Sequence, residues 1–271
     1  MSALLEDKAP AVPNVAAEYE EYKQAGRIWG QVPPERIKKI KFPRASAETR
    51  AAFLEFDDMT TTVSDILDSL GINGVVPGSY LPGLLPGKRM VGTAVTLRSI
   101  PERKTPTQGH IDKEPIRMST REVYYLSEEG DVLVADFGGN RDVSNMGGMS
   151  CTVGKSAGFA GAIVNGAVRD VNSIRGLDYP VWATGVTPIT GKFRMEAVEI
   201  NGPVTVQGML VEPGDLVVAD DSGVCFIPAA FIERVLNEAQ SIEKAEDTMR
   251  DLIVNKRPIS ELRPLFRKRY D

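Results

Sequence analysis

Histidine is nearly absent from this chain: His110 is the only one among 271 residues. A single imidazole excludes a multi-histidine metal centre within one chain. A Ser-His-Asp or Cys-His arrangement would have to use this residue of the polar loop "SIPERKTPTQGHIDKEP". Cysteine is almost as scarce. Cys151 and Cys225 stand far apart and outside any CxxC spacing, which excludes a disulfide framework and a thiolate zinc site and leaves two reduced, buried apolar residues. Long apolar runs are missing too. No stretch approaches the roughly 18–20 consecutive residues of a membrane-spanning helix, and "MSALLEDKAPAVPNV" lacks the basic and apolar regions of a signal peptide. No membrane partner and a cytoplasmic location are therefore expected. Positive charge is not in excess either: the formal net charge of -5 argues against nucleic acid as a partner. The locally basic "RPLFRKRYD" reads as a solvated tail or a subunit contact. Without histidine or paired cysteines, a bound metal must rest on oxygen ligands, which favours Mg2+ or Mn2+.

What is present is an ordinary globular composition, 42% hydrophobic and 25% charged, enough for one large domain with terminal additions. Residues 1–59 read as an N-terminal helical arm, with helices over "NVAAEYEEYKQAGRI" and "SAETRAAFLEF" joined by the basic, proline-containing "GQVPPERIKKIKFPRA". Residues 60–250 form the main domain and 251–271 a C-terminal tail. Within the domain, "TTTVSDILDSLG" reads as a helix with a capping box, Thr62 and Asp65, stopped by Gly71. "GTAVTLRSI", "GDVLVADFGG", "GFAGAIVNGAV" and "PVWATGV" read as strands, "EPIRMSTREVYYLSE" as a helix, and a long helix runs from about Ala229 to Ile253. The sum is α/β.

Three motifs invite chemistry. "VGKSAG" is not a phosphate loop, because the required glycine five positions before Gly154 is Met149; Lys155 reads as a helix-surface residue. No GxGxxG follows a strand, so a nicotinamide dehydrogenase has no support. "NMGGMS" places two glycines where a loop becomes a helix. They either expose backbone N–H groups to a carboxylate or phosphate, or only permit a tight turn or close packing. Arg169 and Asp170 sit where a strand ends. Either Asp170 caps the helix "VNSIRGL" and Arg169 makes a surface pair, or Asp170 holds a divalent cation and Arg169 forks onto a substrate carboxylate or carbonyl.

Gly148, then twenty residues, then Arg169-Asp170, set within "GFAGAIVNGAVRD" and followed by "PVWATGVTP", resembles the family that joins RraA-like proteins to the 4-hydroxy-4-methyl-2-oxoglutarate aldolases. "SDILDSLG", "GTAVTL", "GDVLVAD" and "EPGDLVVADDSGVCFIP" match in the same order, so the resemblance covers roughly Thr60 to Met249. It implies an α/β/β/α sandwich of the RraA-like (swivelling β/β/α) type, here with an N-terminal helical extension, assembled as a homotrimer or homohexamer with intersubunit sites. It further implies that Asp170 binds the metal, that Arg169 binds substrate, and that Gly148 with the amides of Met149 and Ser150 cradles a pyruvate-type carboxylate. The expected activity is that of a divalent-metal-dependent lyase of 2-oxo (di)carboxylic acids, an oxaloacetate decarboxylase or 4-hydroxy-4-methyl-2-oxoglutarate aldolase. The alternatives are a non-catalytic regulator that binds a ribonuclease or other protein, and a metal-dependent enzyme for another hydroxy or oxo acid. The chain departs from the family's acid–base pattern. Family aldolases often carry aspartate where Gly148 stands, and members with glycine there carry an acidic pair where this chain has Ser173 and Ile174. Asp136, Asp142 and Glu246 are the candidate replacement acids, Glu246 by reaching a neighbouring subunit's site.

Overall fold

The computed structural model describes residues 14–268, with side-chain surroundings up to residue 264; most of "MSALLEDKAPAVPNV" and the end of "RPLFRKRYD" lie outside the described residues. In chain order, α1 (Val15–Gln24) and α2 (Ala47–Leu54) precede α3 (Met59–Ser69), β1 (Val75–Pro77) and β2 (Met90–Pro101). Then come α4 (Pro106–Ile111), α5 (Thr120–Leu126), β3 (Asp131–Asp136), β4 (Ser144–Met146), α6 (Gly148–Ser156), β5 (Gly161–Val168), α7 (Val171–Gly176) and β6 (Val181–Val186). β7 (Met195–Ile200), the hairpin β8 (Val204–Val206) and β9 (Met209–Val211), β10 (Leu216–Ala219), β11 (Gly223–Ile227), α8 (Ile232–Val254) and α9 (Ile259–Lys268) complete the chain. Among the described residues one mixed sheet runs β1-β11-β10-β2-β3-β5-β4, with β6 on β5 and β7 on β2.

The period-two alternation of the strands divides the core. Leu133, Ala135, Ala162 and Val164 face α5, α6 and α7, whereas Leu216, Val218, Cys225 and Ile227 face α2, α3 and α8. The opposite faces of both limbs meet in a third cluster, where Val132, Val134, Ile163 and Trp182 pack with Val217, Val224 and Phe226. Helices thus cover the outside of two sheet limbs that close on each other, the layered α/β/β/α arrangement. β5 is buried at every position, as a central parallel strand covered on both faces should be. β2, β3, β5, β4 and β6 run parallel to one another, so their carboxyl ends gather at one edge, where α/β sheets present ligand sites.

Local expectations hold in part. Gly71 ends α3 with φ of +69°, and Ser46 caps α2 by accepting from Thr49 N. The capping box at Thr62 and Asp65 is not formed. α3 starts at Met59, and its first turn is held by a distant carboxylate: Asp220 accepts from Thr60 N at 3.2 Å and Thr60 Oγ1 at 2.6 Å. The histidine loop contains helix α4, capped by Thr105, and His110 lies edge-on to Phe193 at 4.7 Å. Residues 114–119 are not helical; they run beside β7, where Arg117 O accepts from Ala197 N.

The N-terminal segment is built into this core rather than laid over it. Tyr22, Val32, Ile37 and Ile40 are buried with Val95 and Val123, and Phe53 and Phe56 with Met59 and Val63. Its electrostatic anchor is Arg44, whose Nε donates at 3.0 Å to both carboxylate oxygens of Asp131. The Asp131 side chain is 1% exposed, and desolvation pushes its carboxyl upward against the pull of Arg44. Removing the arginine strands a buried carboxylate. Arg44→Ala is therefore expected to cost about 3–5 kcal/mol in urea denaturation, and a loss below roughly 1 kcal/mol would show that water replaces the guanidinium.

Candidate functional site

At the carboxyl edge of the parallel strands lies a cleft of about 300 Å³. Strand β5 ends at Val168 and delivers Arg169 and Asp170; β4 ends at Met146 and delivers Gly147, Met149 and Ser150 on the first turn of α6. Asp170 adopts the left-handed conformation, φ 58° and ψ 41°, at the N-cap of α7. Its side chain makes no capping bond there. It turns instead to α6, where Oδ2 accepts from Gly148 N at 3.1 Å and stands 3.5 Å from Arg169 Nε. The capping role read from the sequence is thus not the one this carboxylate performs.

Both glycines of "NMGGMS" are required by that contact. A Cβ on Gly147 would lie 2.6 Å from Asp170 Oδ2 and 2.8 Å from Arg169 Cγ, and one on Gly148 would lie 2.8 Å from Ser173 Cβ. Close packing and an open helix terminus are therefore the same feature. Gly147 offers α6 no side-chain cap, and the first amides of a helix have no intrahelical acceptor. With Gly148 N bound to Asp170, the Met149 and Ser150 amides remain for a ligand. The Ser150 hydroxyl is tied back, 2.8 Å from Thr120 Oγ1 and 3.4 Å from Tyr124 OH, and burial drives the Tyr124 phenol well above its usual range. Burial also pushes Cys151 up to about 12, with Asp170 adding to the rise, so this thiol is no nucleophile.

The cleft is cationic. Among the described residues, Arg121, Arg169 and Lys192 line it against one carboxylate, Asp170. Ile116 and Met118 supply an apolar wall, and Gln31 arrives from the N-terminal segment. Arg121, Lys192, Thr120 and Gln31 carried no signal in the sequence, since each lies in a segment without a recognisable motif. Asp136, Asp142 and Glu246 do not line this cleft. Asp136 accepts from Gly138 N and Asn165 Nδ2, Asp142 is exposed in a loop, and Glu246 lies on α8. Ile174, at the second position of the family's acidic pair, is wholly buried.

Among the described residues no three His, Cys, Asp or Glu side chains converge on a metal position. The donor set at Asp170 is one carboxylate, with a side chain 43% exposed. That fits Mg2+ or Mn2+, which keep several waters and take one or two carboxylates plus substrate oxygens. It does not fit a closed zinc site.

Fold and cleft define an α/β sandwich protein with a cationic cleft at its parallel strand ends. The chain belongs to the RraA-like family, whose profile (Aldolase/RraA) matches residues 60–226. It is 31% identical over 206 residues to Protein DlpA of Legionella pneumophila, covering 74% of this chain and 31% of that protein, so it spans about a third of DlpA's length. It is 29% identical over 196 residues to a Halalkalibacterium halodurans protein named "Putative 4-hydroxy-4-methyl-2-oxoglutarate aldolase", covering 72% and 84% of the two chains. Among solved structures, Streptomyces coelicolor RraAS2, described as an unusual member of the RNase ES inhibitor RraA protein family, superposes with a TM-score of 0.64 at 28% identity, covering 78% and 99%.

The Gly148–Ser173 contact makes a checkable coupling. Gly148→Ala is expected to destabilise by about 1–3 kcal/mol through overpacking. Gly148→Ala with Ser173→Gly should lose less than the two single changes added, in a double-mutant cycle read by denaturation. Strict additivity would mean that the helix start relaxes away from Ser173.

Proposed function

We propose that this protein is a divalent-metal-dependent lyase of 2-oxo dicarboxylic acids, decarboxylating oxaloacetate first and cleaving 4-hydroxy-4-methyl-2-oxoglutarate-type substrates by the same route. The observation that carries this reading is the Arg169–Asp170 pair set against the uncapped start of α6 in a cationic cleft. The division into arm 1–59, catalytic domain 60–250 and tail 251–271 belongs to the same proposal. So do a homotrimer or homohexamer with shared sites and a cytoplasmic location.

Asp170 would hold a hydrated Mg2+ or Mn2+, which when bound supplies Lewis acidity toward the oxygens of a 2-oxo acid. The Met149 and Ser150 amides take the substrate's C1 carboxylate. Arg169 faces the ketone oxygen and stabilises the negative charge that grows there as the C3–C4 bond breaks. In decarboxylation the bonding pair passes into the enolate, the distal carboxylate leaves as carbon dioxide, and a solvent proton at C3 completes pyruvate. No base is needed. Aldol cleavage adds the removal of the C4 hydroxyl proton, and among the described residues the cleft lining offers no carboxylate besides Asp170. A base from a neighbouring subunit, for which Glu246 is the candidate, would meet that need.

A second reading is a non-catalytic regulator that binds a ribonuclease, favoured by the likeness to RraAS2 and by the missing acids. A third keeps the metal site for a different hydroxy or oxo acid.

Pyruvate release from oxaloacetate should exceed the metal-only rate with Mg2+ or Mn2+ and vanish with chelator. Asp170→Asn keeps an acceptor for the Gly148 amide and a side chain tolerant of the left-handed conformation, so it should fold while turnover falls roughly 100-fold or more. Full activity in that variant would remove Asp170 from the mechanism. Tight ribonuclease binding without turnover would select the regulator.

A further inference from the structure

The cleft wall contains a residue from outside the segment matched by the family, which starts at residue 60. Gln31 lines the cleft beside Arg121, and it is held there by an unusual device. The carboxylate of Glu122, wholly buried, accepts from three consecutive backbone amides: Trp29 N at 2.9 Å, Gly30 N at 3.2 Å and Gln31 N at 2.9 Å. Gly30, at φ +82°, supplies the turn that aims successive N–H groups inward. Trp29 stacks on Tyr125 at 5.7 Å between ring centres, and the Arg121 guanidinium lies 5.5 Å from the Trp29 ring. Residues 121, 122 and 125 all stand on α5, so a single helix carries both the latch and a cleft cation. A charge buried at this cost needs all three amides to offset its desolvation.

Building on the lyase reading, we propose that this latched turn is the specificity wall of the site. Gln31 and Arg121 together bind the C5 carboxylate of a five-carbon 2-oxo dicarboxylic acid, the group that survives C3–C4 cleavage, and Glu122 is the positioning residue that fixes Gln31. The described lining has a formal excess of two positive charges, from Arg121, Arg169 and Lys192 against Asp170, which a divalent cation would raise further, and this favours a dianion over a monoanion. The proximal carboxylate is provided for by the first amides of α6, and Arg169 is taken by the ketone oxygen. Arg121, held over the Trp29 ring, and Lys192 line the remainder of the cleft and are placed for the distal group. The Gln31 carboxamide can donate to it through Nε2 without adding charge.

The test is calorimetric binding, with Mg2+ present, of oxalate, which spans only the proximal end, and of 2-oxoglutarate, which adds a distal carboxylate. Gln31→Ala should weaken 2-oxoglutarate roughly tenfold and leave oxalate unchanged, and Gln31→Glu should weaken it further by placing a like charge in the wall. Glu122→Gln turns an amide group toward the Gln31 N–H. It should accelerate hydrogen exchange at residues 29–31 and reproduce the selective loss of 2-oxoglutarate. If Glu122→Gln does not fold, the two Gln31 variants decide, because their latch is a backbone amide. Equal effects on both ligands, or none on either, overturn the specificity wall while leaving the lyase site intact. Failure of the unaltered protein to bind either acid overturns the lyase reading and this proposal together.

Discussion

The hydrogen bond from Gly148 N to Asp170 Oδ2 joins the end of β5 to the start of α6, and the site depends on it. For the carboxylate to reach that amide, Asp170 must leave the strand in a left-handed conformation, which costs a side-chain-bearing residue about 1 kcal/mol or more and which aspartate tolerates better than most. For the helix start to approach so closely, residues 147 and 148 must lack Cβ atoms. The same approach uncovers the next amides of α6 and holds Arg169 beside them.

Around that contact the site is electrostatically lopsided. Three cations and two free helix amides oppose one carboxylate, so the cleft is organised for an anion before any metal is considered. A hard cation at Asp170, as proposed, would add to that excess. It is tolerable only when water and an anionic ligand share its coordination, the mode in which Mg2+ and Mn2+ commonly bind. The absence of a second acid among the described lining residues separates a reaction that only needs charge stabilised from one that also needs a proton removed.

The N-terminal segment links stability to the site. Arg44 on Asp131 and the three amides on Glu122 are both arrangements in which a buried carboxylate of the domain is satisfied by the segment. Without the segment, two buried charges would lose their partners. An extension read from sequence as an accessory arm is therefore part of the packed core, with Tyr22, Ile37, Ile40 and Phe53 fully enclosed.

Much of this was legible in the sequence where the signal is local and periodic. The strands "GTAVTLRSI", "GDVLVAD" and "GFAGAIVNGAV", the stop at Gly71, the glycine-opened helix and the Arg169–Asp170 pair all follow from alternation, turn chemistry and spacing. The errors came where a distant partner overrode a local preference. Asp220 caps α3 in place of Thr62 and Asp65, and β7 draws residues 114–119 out of the expected helix. Asp136 accepts from Gly138 N and Asn165 Nδ2, and Asp142 stands exposed in a loop, so neither enters the cleft. The sequence by itself determined the α/β class, the family and the motif that bears the charge. Only the tertiary structure decided which cations and which arm residue share the cleft, because Gln31, Arg121, Arg169 and Lys192 lie on separate segments that meet only when the sheet is folded.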